Sequence, residues 1–409
     1  MQDLELYQQI LGVVAPWKVC EVQLDHATQE IRVRVEHPRG VRFRCPDCEA
    51  ELACYDHAEE RRWRHLDSCQ YQTIIVASPP RVKCPAHGVK TVAPPWAERN
   101  GRFTMNFERF AIDVLMVTQT VQGAQAILRT SWDETWHIAT KAVARGQARK
   151  AVRGMPRLGL DEKAFRKGQD YITLIYDVDQ STVEAISDGN DDAAADACFS
   201  QLSAEQIAAV QAIAMDMSAA YVKSARDNLP EADGKITHDR FHVMQLATKA
   251  VDQVRRGEHR ELSSRGDRRL ARTKYLWLTN VDNLTDLQHD LVNQVFHSQL
   301  RTGKAWAYKE MLRELWNQDD AASATAYFKQ WYRRVIHTKL APLKKLARTI
   351  QLRLGQVVNY CTHRITNGVA EGLNSKIMSI KRRVGGFRNA ANFKTAIYFY
   401  CGGLDLYPR

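Results

Sequence analysis

Arg157-Leu-Gly-Leu-Asp161-Glu162-Lys163 is a short apolar run that ends on two acids. Ile213-Ala-Met-Asp216-Met-Ser218 repeats the pattern, with apolar residues delivering an Asp as at the exit of a buried strand. A third stretch, Thr366-Asn367-Gly-Val-Ala-Glu371-Gly-Leu-Asn374, carries a Glu among small and amide residues on an expected helix. Taken singly, an Asp at a strand end reads as a turn former or a helix cap. Taken together, the three acids are hard oxygen ligands drawn from separate elements, as two-metal phosphoryl transfer requires.

Outward from these acids, Tyr171–Tyr176 and Thr182–Ile186 read as strands joined by a turn at Asp177-Val-Asp-Gln180. A helix near Ala204 to Ala212, a strand reaching Met215, a helix over Ala219–Asn228 and a strand around Lys235 to Thr237 follow. The order βββαβαβ is that of an RNase H-like core. Glu162 points to the opposite side of its strand from Asp161, and Asp177 and Asp179 sit where turn chemistry expects Asp. About 150 residues separate Asp216 from Glu371. A compact core cannot hold that length as loop, so an inserted helical domain is needed, and the helical pattern from Val243 to Tyr360 supplies it. Helices over Gly368–Lys381 and beyond Phe387 close the chain.

Upstream, Ile31–Val35, Val41–Arg44 and Tyr71–Val76 alternate as strands, and Pro94-Pro95 marks a boundary. Cys45-Pro-Asp-Cys48 and Cys84-Pro-Ala-His87 form a C-x2-C and a C-x2-H, each with the bite of a zinc knuckle. Cys54, His57, His65 and Cys69 lie between the knuckles and are set aside as ligands. Glu59–Leu66 is basic around a Trp and either follows a phosphate backbone, through Arg61, Arg62 and Arg64, or is a solvated strand edge.

From Thr104 to Ala148 the pattern is helical, with Phe107, Phe110, Ala111, Val114 and Leu115 on a core face. Val121–Leu128, with Ala124, Ile127 and Leu128 inward, is followed by a break and by Ser131-Trp-Asp-Glu134, a capping box. The next helix carries Lys141 and Arg145 among its outer positions. This layout is that of a helix-turn-helix or of an ordinary αα-hairpin; the basic context favours the former.

The 409 residues are 44% apolar and 26% charged, an ordinary globular composition with room for several domains. A net charge of +11 favours a polyanionic partner. Nine cysteines, four potential ligands at metal-like spacing, point to a reducing compartment without a disulfide framework. The N-terminal residues carry no secretory signal pattern, and no apolar run is long enough to span a bilayer, so a soluble intracellular protein is expected.

Knuckles, helix-turn-helix and acids in this order resemble a bacterial insertion-sequence transposase of the ISL-three family, over nearly the whole chain. The resemblance rests most on Leu160–Phe165, Met215–Tyr221, Asp239-Arg240-Phe241-His242 and Ile365–Asn374. It implies an Asp-Asp-Glu triad on Asp161, Asp216 and Glu371, holding two Mg2+ ions, with Mn2+ as a substitute. It also implies auxiliary roles for Asp239 and His242 and structural Zn2+ on Cys45, Cys48, Cys84 and His87. The expected fold is multidomain α+β: a zinc-binding domain (1–95), a helix-turn-helix domain (96–150), an RNase H-like core in two parts (151–242 and 361–409) and an all-helical insertion (243–360). The expected activity is recognition of terminal inverted repeats, strand cleavage and 3′-hydroxyl strand transfer, by a homodimer or larger assembly on double-stranded DNA in the bacterial cytoplasm at the nucleoid. Lys376, Lys381, Arg382, Arg383 and Arg388 suit a DNA backbone beside the metals.

Overall fold

The computed structural model describes residues 3–166, 170–297, 300–365 and 368–409; the side chains at 3, 294–297 and 369–371 stand outside that description. The chain divides into two units, Met1–Lys150 with Leu404–Arg409, and Ala151–Gly403.

The first unit opens with α1 (Asp3–Ile10) and eight strands: β1 (Lys18–Asp25), β2 (Glu30–Glu36), β3 (Arg42–Arg44), β4 (Glu51–His57), β5 (Arg61–Arg64), β6 (Gln72–Ala77), β7 (Pro80–Cys84) and β8 (Gly88–Thr91). They form two four-stranded sheets, ordered β1-β2-β6-β5 and β3-β4-β7-β8. In β2 the alternation is plain: Ile31, Val33 and Val35 are buried while Arg32 and Arg34 are less so, because successive strand side chains face opposite ways. These valines join Trp17, Trp63 and Trp96 in one core. Half-buried β4 lacks such contrast and escaped the sequence reading.

Three helices follow: α2 (Met105–Thr118), α3 (Val121–Leu128) and α4 (Trp132–Arg149), each packed on the other two. Thr104 caps α2 by accepting from the amide of Phe107, and Ser131 and Glu134 form the expected capping box on α4. Two expected core residues are corrected. Phe110 is 44% exposed, since the buried stripe of α2 runs through Phe107, Ala111, Ile112, Val114 and Leu115 and Phe110 falls beside it. Ile127 is 57% exposed, because two-turn α3 buries its i and i+4 residues, Ala124 and Leu128. The last residues of the chain lie on this bundle. Arg109 donates to the carbonyl of Pro408, Arg145 to Leu406 and Arg149 to Tyr407, and the Tyr407 hydroxyl donates to Asp113.

In the second unit β9 (Arg157–Ala164), β10 (Tyr171–Asp177), β11 (Thr182–Asp188), β12 (Ala212–Met215) and β13 (Ile236–His238) make one sheet, ordered β11-β10-β9-β12-β13. The first three pair antiparallel; β12 runs parallel to β9, and β13 parallel to β12. The connections are α5 (Asp192–Phe199), α6 (Ala204–Ala208), α7 (Ala219–Asn228) and α8 (Ala232–Lys235). The helix expected to reach Ala212 stops at Ala208, four residues before that alanine enters β12.

Between β13 and the C-terminal helices the described residues are helical: α9 (Arg240–Ser263), α10 (Lys274–Leu278), α11 (Asp286–His297), α12 (Arg301–Arg313), α13 (Ala321–Ile336), α14 (Ala341–Gln351) and α15 (Leu354–His363). They bury a core of their own around Trp277, Trp306, Trp316, Phe328 and Trp331. The chain then forms α16 (Gly368–Arg383), which contacts β9, and α17 (Ala390–Cys401), which contacts β11. Among the described residues no helix is long and apolar enough to cross a membrane.

Candidate active site and metal centre

The parallel register pairs Gly159 with Ala214 and Met215 with His238. Carried forward in step, it sets Asp161 beside Asp216 and Asp216 beside Asp239. The amide of Asp239 donates to the carbonyl of Met215 at 3.0 Å, which continues the ladder. Asp161 lies within β9, and Asp216 and Asp239 directly follow the last residues of β12 and β13, so the three acids come to one end of three neighbouring strands.

Asp161 Oδ2 accepts from the Asn374 side-chain amide at 2.7 Å and lies 3.0 Å from the ammonium of Lys163. Asp216 Oδ1 accepts from the amide of Ser218 at 2.8 Å. Asp239 caps α9 by accepting from the amide of Phe241, and its Oδ2 is 3.8 Å from His242 Nε2. Glu162, on the other face of β9, accepts from the Tyr221 hydroxyl at 3.0 Å. Burial, and then the charges of Asp216 and Asp161, raise its carboxyl pKa.

Tyr176 is the cross-strand partner of Gly159. A Cβ on Gly159 would fall inside the Tyr176 ring, so only glycine lets the ring cross here. The phenol is buried, and its pKa is raised well above the usual value by burial and then by Asp161 and Asp239.

Asp177 behaves as a turn residue: fully buried, it accepts from the amides of Asp179 and Gln180 and pairs with Arg153. Asp179 pairs with Arg157. Glu371 lies on α16, three residues before Asn374; its side chain, with Thr366 and Asn367, falls outside the described residues. Asp161, Asp216 and Asp239 offer carboxylate oxygens, the donor type that a hard divalent ion takes, with Lys163 close to Asp161, whereas Glu162 is turned to Tyr221. Among the described residues these oxygens do not gather as closely as the two Cys/His clusters do.

The expected DNA-binding cations divide. Lys376, Arg382, Arg383 and Arg388 are exposed, and Lys376 and half-buried Lys381 reach the carbonyls of Tyr400 and Ala164. Arg62 is exposed but pairs with Glu30, and half-buried Arg61 donates to the carbonyl of Gly101. Three expectations are corrected. Arg64 is buried against Phe107 and paired with Asp67. Lys141 and Arg145 turn inward to Glu98 and to Glu108, whose side chain is 3% exposed. A buried carboxylate needs paired cations, so these groups are committed inside the protein.

In the first unit Cys45, Cys48, Cys84 and His87 converge, their ligand atoms all within 4.8 Å of one another. Cys48 Sγ is 3.6 Å from Cys84 Sγ, and Cys84 Sγ 3.5 Å from His87 Nδ1. Ligands about 2.0–2.3 Å from a tetrahedral zinc lie roughly 3.3–3.8 Å apart, so the set fits that ion. The sequence reading passed over a second gathering, His37, Cys54 and His57, although Cys54-Tyr-Asp-His57 repeats the C-x2-H spacing.

Comparison with known proteins places the chain in a family. A family model described as the zinc-finger of the transposases of IS204, IS1001, IS1096 and IS1165 matches residues 42–87, which span the four zinc-type ligands. Over 418 aligned residues the chain is 25% identical to the transposase for insertion sequence element IS1557 of Mycobacterium tuberculosis, covering 95% of this chain and 93% of that one. It is 26% identical to the transposase for insertion sequence element IS1001 of Bordetella parapertussis, covering 85% and 86%. The ISL3-type DDE transposase model, described as "Transposase", matches residues 158–397, more than half the chain, with both Asp161 and Asp216 inside it. The chain belongs to the ISL3 family of transposases.

Proposed function

We propose that this chain binds the terminal inverted repeats of an insertion sequence, cleaves DNA there and joins the freed 3′-hydroxyl to target DNA. The observation that carries the reading is the placement of Asp161, Asp216 and Asp239 at one end of adjacent strands, with α16 tied to Asp161 through Asn374. The strand order β11-β10-β9-β12-β13 and its mixed pairing support an RNase H-like core. Asp161, Asp216 and Glu371 would hold Mg2+, with Asp239 and His242 beside them. Bound there, the ions supply Lewis-acid stabilisation of the attacking and leaving oxygens in turn. The protein's own part is to fix the ligands: Asn374 and Lys163 hold Asp161 Oδ2, and the amide of Ser218 holds Asp216.

Cys45, Cys48, Cys84 and His87 would hold structural Zn2+. Helices α2–α4, with the Ser131 cap, support a helix-turn-helix reading, and exposed Lys376, Arg382, Arg383 and Arg388 suit a phosphate backbone. Joining two ends requires an assembly of at least two chains. The test is a supercoiled donor plasmid carrying paired repeats, incubated with Mg2+ and target DNA. Strand transfer is expected. Cutting without joining would reduce the reading to a nuclease, and repeat binding without cutting to a regulator.

A further inference from the structure

We infer that the first unit carries a second zinc site, formed by His37, Cys54 and His57. Their ligand atoms lie within 4.8 Å of one another. His37 Nε2 is 2.9 Å from His57 Nε2, and Cys54 Sγ is 3.9 Å from the same His57 nitrogen. Two nitrogens on one tetrahedral zinc stand about 3.3 Å apart, and a nitrogen and a sulfur about 3.6 Å. The gathered donors are within about half an ångström of those separations.

Two features of the backbone and its surroundings prepare this site. On a regular strand Cys54 and His57, three residues apart, face opposite sides. In β4 the register shifts: Cys54 pairs with Val82 but Asp56 with Arg81, so one extra residue is inserted. That bulge returns His57 to the side of Cys54, which is how bulges re-aim side chains. His37 is held independently. Its Nδ1 is 3.0 Å from the carbonyl of Pro38, so Nδ1 carries the proton and Nε2 presents its lone pair to the cluster. A metal-binding histidine fixed by a backbone carbonyl has this arrangement. Trp17 and Phe43 pack edge-on against the ring and keep it there.

The donor set, two imidazoles and a thiolate, suits zinc among available divalent ions. The Cys54 thiol rests on the carbonyl of Asp56 at 3.2 Å and gives up its proton to solvent when metal binds. Asp56 is occupied with Arg81, and His57 is exposed, so the fourth position falls to water. Because His37 follows β2 in one sheet and the other ligands lie on β4 in the second, the ion would fasten the two sheets together.

The test is a zinc count on folded, reductant-treated full-length protein by elemental analysis. About two equivalents per chain are expected, for two filled sites. Cys54→Ser or His57→Ala should each remove about one and leave the other, while Cys45→Ser removes the complementary equivalent. A folded wild-type chain holding about one, or variants with unchanged counts, overturns the inference. Should a variant fail to fold, titration of chelator-treated wild-type protein with Co2+ decides instead. Two saturating steps are expected, the three-thiolate site giving the stronger sulfur-to-cobalt absorption; a single step overturns the proposal.

Discussion

Asn374 donates its side-chain amide to Asp161 Oδ2 over 2.7 Å, and so fastens α16 to β9. The helix that carries Glu371 is thereby set against Asp161. Asn374→Leu should lower cleavage about 10- to 100-fold and raise the Mg2+ needed for half-maximal rate, while leaving repeat affinity unchanged. Cleavage rates measured across a Mg2+ series check this; an unchanged Mg2+ dependence would assign Asn374 a merely structural role.

Asp161→Asn, Asp216→Asn and Glu371→Gln should each reduce cleavage and strand transfer on the order of a thousandfold or more, with repeat binding retained. Combining them should add little, since any one removal breaks the same constellation. Asp179→Asn, at an exposed turn pair, is the suitable control; buried Asp177 is not, because it accepts from the amides of Asp179 and Gln180 and shares Arg153 with Glu184. Near-normal cutting by the Glu371→Gln protein would place the third ligand elsewhere.

Gly159→Ala should destabilise the second unit by about 1–3 kcal/mol, because the new methyl meets the Tyr176 ring. Adding Tyr176→Val should relieve part of that cost, so the double variant is less destabilised than the two single losses predict. Denaturant titrations of the four proteins measure the coupling; strict additivity would mean the ring is free to move aside.

Arg145→Met leaves the Glu108 carboxylate, 3% exposed, without one of its two cations. Loss of about 3 kcal/mol of stability is expected, as when one partner of a buried pair is removed. Thermal melts compared with repeat binding decide the role. An unchanged melt with weakened DNA binding would return Arg145 to the DNA surface.

His65 is buried against Thr104 Oγ1, and burial, followed by the charge of Arg64, lowers its pKa to about 4. The unfolded chain binds a proton below about pH 6.5 while the folded chain does not, so stability should fall as pH drops from about 6.5 to 4. The full effect is about 3 kcal/mol. His65→Gln should show a shallower slope in that window; identical slopes would remove His65 from the account.

Legibility in the sequence followed the range of the interaction. The Ser131 capping box is a contact over three residues, and it was read directly. Asp161 and Asp216 announced themselves as acids after apolar runs. Their alignment with Asp239 was hidden, because it depends on parallel pairing of strands from separate segments. Lys141 and Arg145 sit at positions a helical wheel sends outward; Glu98 and Glu108, which draw them in, lie on other segments. Cys54 and His57 were set aside because no second knuckle matches them in the sequence; their partner His37 lies on another segment, and the bulge in β4 that aligns the two is a tertiary feature.

The residues that receive Arg109, Arg145 and Arg149 lie about 250 to 300 positions beyond the helices they complete. Synthesis runs from the N-terminus, so α2–α4 are made well before Leu406 to Pro408 can reach them. Until then Arg109 and Arg149 lack those carbonyl acceptors, while Arg145 already has Glu98 and Glu108. The three-helix bundle is thus finished by residues that follow the whole second unit in sequence, and loss of Leu406 to Pro408 would be felt first there.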